Sequence, residues 1–281
     1  MSLNPFASRL QQRVTQFSAL CVGIDPSGKL LHDCGLPDDA EGAYAFGERI
    51  LHASEFDIAI IKPQSAYFER HGSEGVRAME ELTRLAQSKE ILVLLDAKRG
   101  DIDTTGAAYA EAYFSPQSPL RADALTLHAY LGLSALNQAI DFAVMHGGGL
   151  FPVVRSSNPE GQPLQCARLP DGRSVAESLC DEITALNKNY APEGLGPIGA
   201  VVGATCDDAD AIAARMPRAF ILAPGVGAQG ATMRDVRTRM PSASGRVLAS
   251  VSRAILKNGS QPGEIATAIR ALRDEAQREL A

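Results

Sequence analysis

Five apolar residues, Ile91-Leu92-Val93-Leu94-Leu95, run straight into the charged sequence Asp96-Ala97-Lys98-Arg99-Gly100-Asp101, and an amphipathic segment of helix length, Thr104–Phe114, follows. A short continuous apolar run ending in polar residues reads as a strand buried on both faces, and such strands belong to parallel sheets covered by helices. The unit recurs along the chain. Seven further runs are Leu20–Ile24, Ile58–Ile61, Ala124–Leu127, Leu150–Val154, Ile198–Gly203, Ala219–Ala223 and Val247–Val251. The other helices are expected at Ala40–Ala53, Glu74–Gln87, Leu133–Met145, Val175–Asn187, Asp208–Arg215, Ala231–Met240 and Glu264–Glu279, the last opened by Pro262.

Eight βα units in a chain of 281 residues match a closed (β/α)8 TIM barrel, an α/β fold of typically ~250 residues. The alternative is an open doubly wound sheet. Its weakness is the first junction, Ile24-Asp25-Pro26-Ser27-Gly28, which lacks the Gly-x-Gly-x-x-Gly of a dinucleotide site. The expectation is therefore one barrel domain over residues 1–281. Phe6, Leu10, Val14 and Phe17 keep helical spacing and predict a packed N-terminal helix, in preference to a transit peptide suggested by Arg9 and Arg13. Ser156–Arg173, rich in proline and glycine, reads as a long loop after strand five, either a lid or a disordered surface loop.

Composition excludes several classes of function. The net charge is −6 and neither sign gathers in a block, which argues against nucleic acid or an anionic membrane as partner. No apolar run approaches the roughly 20 residues that span a bilayer. Five cysteines without a Cys-x-x-Cys pair fit reduced thiols in the cytoplasm, and the histidine and cysteine spacings predict no metal.

Barrel enzymes carry their chemistry where strands end at the C-terminal face. The strand ends here supply Asp25, Lys62, Asp96 with Lys98 and Asp101, His128, Ser156 and Ser157, Thr205, Pro224–Gly227, and Ser252 with Arg253. Two lysines and three aspartates at one mouth exceed what packing needs. Asp96 and Lys98, two apart on an extended chain, can point to one side, and the Gly100 turn can return Asp101 toward Lys98. An ammonium among carboxylates stays protonated and could deliver a proton to a developing carbanion; a solvated turn closing a strand is the alternative. Pro224-Gly225-Val226-Gly227-Ala228-Gln229-Gly230 after strand seven, with Arg253 after strand eight, reads as a phosphate site made of backbone N–H groups, a following helix N-terminus and a guanidinium.

The ordered set Asp96-x-Lys98-x-x-Asp101-Ile102-x-x-Thr105, with Lys62 upstream and Pro224–Gly230 and Arg253 downstream, resembles the orotidine 5′-phosphate decarboxylase family. The extended Ser156–Arg173 segment is similar to that of its longer bacterial (type 2) branch. The resemblance implies cofactor-free conversion of orotidine 5′-monophosphate to UMP and carbon dioxide, the last step of de novo pyrimidine synthesis. By the same resemblance Lys98 donates a proton to C6, Asp96 lies beside the departing carboxylate, and Lys62 completes the charge network and touches the ribose. Asp25 would bind a ribose hydroxyl and Ser157 the pyrimidine, with Ser156 as its rival. Val226, Gly227, Gln229 and Arg253 would hold the phosphate. Asp101 and Thr105 would cross the interface of a homodimer. His128-Ala129 stands where the branch is expected to carry Asn-Pro, and His128 receives no role. Two other readings are a metal-dependent decarboxylase or aldolase acting on a phosphosugar, marked by Mg²⁺ dependence, and a catalytically silent phosphonucleotide-binding protein.

Overall fold

Strands that are apolar on both faces must be filled on one side and covered on the other. The computed structural model, which describes residues 5–227 and 230–281, meets both demands with a closed barrel. Its parallel strands follow in chain order: β1 (Leu20–Ile24), β2 (Ile60–Pro63), β3 (Leu92–Arg99), β4 (Ala124–Leu127), β5 (Gly149–Arg155), β6 (Ala200–Val202), β7 (Ile221–Ala223) and β8 (Val247–Val251). Closure is made by β8 pairing back onto β1, with Leu20 opposite Ala249.

The helices are α1 (Phe6–Gln16), α2 (Gly28–Asp33), α3 (Ala40–Ala53), α4 (Ser65–Glu69), α5 (Gly72–Ser88), α6 (Asp103–Phe114), α7 (Asn137–Met145), α8 (Gln162–Gln165), α9 (Val175–Tyr190), α10 (Ala209–Ala214), α11 (Met233–Arg239) and α12 (Pro262–Leu280). Local chemistry sets several of their ends. Ser174 and Glu177 close a capping box on α9, and Pro262 opens α12 where its missing N–H costs nothing. No helix among the described residues is long and apolar enough to cross a membrane.

Two buried clusters result. The larger lies between the strands and the helical coat; the smaller fills the barrel with Cys21, Ile60, Leu92, Leu94, Phe151, Phe220, Leu222 and Leu248. The N-terminal helix is the floor of this inner core: Phe6 and Leu10 are buried, and the Phe6 ring meets Phe151 edge-on at 6.0 Å. Arg9 and Arg13 serve the same floor, donating to the carbonyls of Gly147 and Ile58. With the lower end plugged, the open end is the C-terminal face.

Candidate active site

The mouth of the barrel holds a cavity of about 370 Å³, bordered by Asp25, Lys62, Gln64, Asp96, Lys98, Thr126, Ser156, Ser157, Asn158, Pro224, Gly225, Val226, Ser250, Ser252 and Arg253, with apolar walls from Val153, Val201 and Leu222. Most of the strand ends that the sequence singled out thus converge on one space; Asp101, His128, Thr205 and Gly227 do not border it. At its base, Lys62 Nζ donates to Asp96 Oδ2 at 2.8 Å, and the Lys98 ammonium pairs with Asp96 Oδ1. Burial favours neutral Lys62, but attraction to Asp96 and Asp25 prevails and holds its pKa above that of an ordinary lysine. Burial likewise opposes ionised Asp96, yet the two lysines hold its carboxyl well below the usual carboxylate range.

Two of the aspartate's partners escaped the sequence reading. Gln64 Nε2 donates to Oδ2 at 3.1 Å and the Thr126 hydroxyl donates to Oδ1 at 2.9 Å. Both left a signal: Gln64 lies two residues beyond Lys62, and Thr126 is a polar interruption of an apolar strand. The backbone also departs from expectation. Lys98 and Asp96 meet, but Lys98 has φ +47° inside an irregularity of β3, so the strand is not extended there. Gly100 follows where the backbone passes so close to β4 that an added Cβ would lie 2.5 Å from the His128 carbonyl oxygen.

Asp101 does not return to Lys98. Its Oδ1 accepts from the Ile102 N–H at 2.8 Å, and neither Asp101 nor the exposed Thr105 borders the cavity of its own barrel. His128 is exposed at the rim, with its pKa lowered by partial desolvation and by the neighbouring Lys98.

At the end of β1, Asp25 Oδ2 accepts from the Ser252 hydroxyl at 2.6 Å, while Asp25 Oδ1 is buried with no partner among the described residues. A buried acceptor left open in this way is a place for a ligand donor. Arg253 is exposed, borders the cavity, and makes no ion pair with a described residue. Gly225 and Gly227 adopt φ of +102° and +77°, as the turn after β7 requires. The Gly227 N–H, however, donates to the Ala231 carbonyl at 2.7 Å. The expected dipole of the next helix is also compromised, because Asp235 already closes a capping box with Thr232 on the short α11. Gln229 lies outside the described residues.

The segment after β5 is folded back, with a turn of 3₁₀ helix at Pro159–Gly161 leading into α8. Buried Arg155 explains the fold of this segment. Its Nε lies 3.0 Å from both carboxylate oxygens of Asp208, and its Nη1 donates to the Ser156 carbonyl at 2.9 Å. Asp208, read from sequence as the first residue of a helix, is instead the flank of α10 and the partner of Arg155. Gln165 accepts from the Ser156 N–H at 2.9 Å and donates to its hydroxyl at 2.8 Å. Ser156 is thereby committed to holding the loop. Ser157 passes over β6, where an added Cβ on Gly203 would come within 2.9 Å of Ser157 Cβ. Among the described residues, no group of three His, Cys, Asp or Glu side chains is arranged to hold a metal ion.

A closed barrel that fixes buried charge at its catalytic face, with an arginine and a glycine turn at the lip, belongs to the class of β/α-barrel enzymes. Residues 18–269 match the orotidine 5′-phosphate decarboxylase / HUMPS family, and the chain belongs to it. The orotidine 5′-phosphate decarboxylase of Myxococcus xanthus is 44% identical over 266 residues, covering 94% of this chain and 92% of its own. That of Salinispora arenicola is 44% identical over 281 residues, covering 99% and 97%. A crystal structure from Streptomyces avermitilis, provisionally assigned to the same activity, superposes with a TM-score of 0.93 at 42% identity, covering 100% of this chain and 97% of its own.

Proposed function

We infer that the chain carries out the reaction its family is named for: removal of carbon dioxide from orotidine 5′-monophosphate to give UMP, in pyrimidine synthesis. The observation that carries this reading is the Lys62–Asp96–Lys98 chain at the foot of the cavity, in which the buried Lys62–Asp96 pair holds the more exposed Lys98 ammonium. When the C6–carboxylate bond breaks, its electron pair stays in the plane of the ring, outside the reach of the ring π system. Stabilisation has to come from charge already in place. Lys98 supplies it and then gives C6 a proton, with Asp96 beside the departing carboxylate and Lys62 fixing Asp96.

The open Asp25 Oδ1 suits a ribose hydroxyl donor. Ser157, which borders the cavity, is assigned to the pyrimidine, and Ser156 to holding the loop through Arg155 and Gln165. Arg253, with the Val226–Gly227 turn and Gln229, is assigned to the phosphate; binding there requires Gly227 to exchange its internal hydrogen bond or to leave the anion to its neighbours. The Ser156–Arg173 segment is a lid whose root is already latched to β5.

The active unit is proposed as a homodimer in which Asp101 and Thr105 complete the neighbour's site. The segments that follow β3 and β4 support a second copy at this edge: Ile102, Tyr109, Tyr130 and Leu131 expose 48, 37, 79 and 52% of their surfaces. All five cysteines are free, which suits a cytoplasmic location. No cofactor enters the chemistry, and Asp96, already bonded by four donors, is poorly placed to take a cation as well. The test is ultraviolet absorbance of orotidine 5′-monophosphate with purified protein and a chelator. Loss of substrate at an undiminished rate is expected, and a rate restored only by Mg²⁺ would favour the metal-dependent alternative.

A further inference from the structure

The pairing of β3 with β4 slips where the two charged residues stand. Leu95 faces Leu125 and Arg99 faces Leu127, so four steps on β3 (95 to 99) match two on β4 (125 to 127). Within the slip lies Lys98 at φ +47°, a left-handed conformation that a residue bearing a Cβ keeps only when its surroundings hold it. Such an irregularity also removes an N–H from the ladder. The Lys98 N–H donates instead to Thr126 Oγ1 at 3.0 Å, and the same hydroxyl donates its proton to Asp96 Oδ1 at 2.9 Å. That oxygen is the one the Lys98 ammonium binds. The circuit starts at the Lys98 backbone, passes through Thr126 and Asp96, and ends at the Lys98 side chain. Thr126 is 1% exposed, so its hydroxyl is committed to these two bonds within the protein.

We propose that Thr126 is a positioning residue for the decarboxylation. One buried hydroxyl pins the strained backbone of the proton donor and orients the carboxylate that steers its ammonium, which together set where the charge stands relative to the reacting carbon. The proposal rests on Lys98 being that donor. Without the hydroxyl, the left-handed residue loses its anchor and the ammonium loses its registration. Catalysis by fixed charge is sensitive to displacements of about 1 Å, whereas nucleotide binding through remote ribose and phosphate groups is not.

Thr126→Val keeps the side-chain shape and removes both bonds; Thr126→Ser keeps the hydroxyl. The expected result is a kcat lower by about 10- to 100-fold for Thr126→Val, with KM and UMP affinity within a few-fold of the parent, and recovery of most of kcat in Thr126→Ser. Should Thr126→Val fail to fold, Thr126→Ser against Thr126→Ala isolates the same hydroxyl, and the same ratio is expected. A parental kcat in Thr126→Val, equal impairment of the Ser and Val variants, or a loss confined to KM would overturn the proposal. Lys98→Ala is assayed alongside. Turnover surviving there would remove Lys98 as donor, while an inactive Lys98→Ala beside a fully active Thr126→Val would remove Thr126 alone.

Discussion

Lys62 reaches from β2 to β3 and sets its ammonium 2.8 Å from Asp96 Oδ2, with only 8 and 10% of the two side chains exposed. Neither partner is placed to survive alone. Asp96→Asn leaves Lys62 buried without its main counter-charge and is expected to cost about 3–5 kcal/mol of stability, read by urea unfolding. A loss below 1 kcal/mol would mean that water or another acid compensates the lysine.

The same pair gives stability a pH signature. The folded-state pKa of Asp96 is depressed, so its contribution is present above the unfolded carboxylate value of ~3.9 and fades as pH falls below it. The stability gap between the parent protein and Asp96→Asn should therefore narrow on going from pH 7 to pH 3. Unfolding curves at the two pH values check this, and a gap that widens in acid would contradict the assignment.

Asp25 keeps one buried oxygen open while Ser252 occupies the other. Asp25→Asn replaces an acceptor by a donor in one of the two orientations and weakens a charge-assisted bond worth about 1.5–3 kcal/mol, or roughly 10- to 100-fold in kcat/KM. Steady-state kinetics read it directly. An unchanged kcat/KM would place the ribose elsewhere.

Asp101 and Thr105 stand outside their own cavity. If they complete the neighbouring site, a Lys98→Ala subunit and an Asp101→Ala subunit rescue each other in a mixed dimer, because one site then has both groups intact. Reassociating equal amounts of the two inactive proteins should restore about a quarter of the parental activity for a dimer formed at random. No recovery, with mixed dimers shown to have formed, would confine the site to one chain.

Much of this architecture was legible because apolar runs mark strands: β1, β4 and β8 begin and end where hydrophobicity does. The reading faltered at the mouth. The apolar run of β3 stops at Leu95, yet the strand continues to Arg99, because there charged side chains find ionic partners, Lys98 with Asp96 and Arg99 with Glu69, instead of hydrocarbon. Strand β2 likewise runs on through Lys62 and Pro63. Periodicity also missed the short helices α2 and α4, which are below the length at which a pattern emerges. At the site, charged residues announced themselves, whereas Gln64 acts through Asp96, Thr126 acts through Asp96 and the Lys98 backbone, and neither has a spacing rule. The pair Arg155–Asp208, 53 positions apart, becomes visible only when β5 and α10 are brought together.

The central claim is that a fixed ammonium at Lys98 makes the in-plane carbanion tolerable. Single-turnover decarboxylation by Lys98→Ala, with a chelator present and nucleotide binding verified, tests it most directly. The account predicts a rate lower by at least about 10⁴-fold with UMP affinity largely retained. A rate within about tenfold of the parent would contradict it.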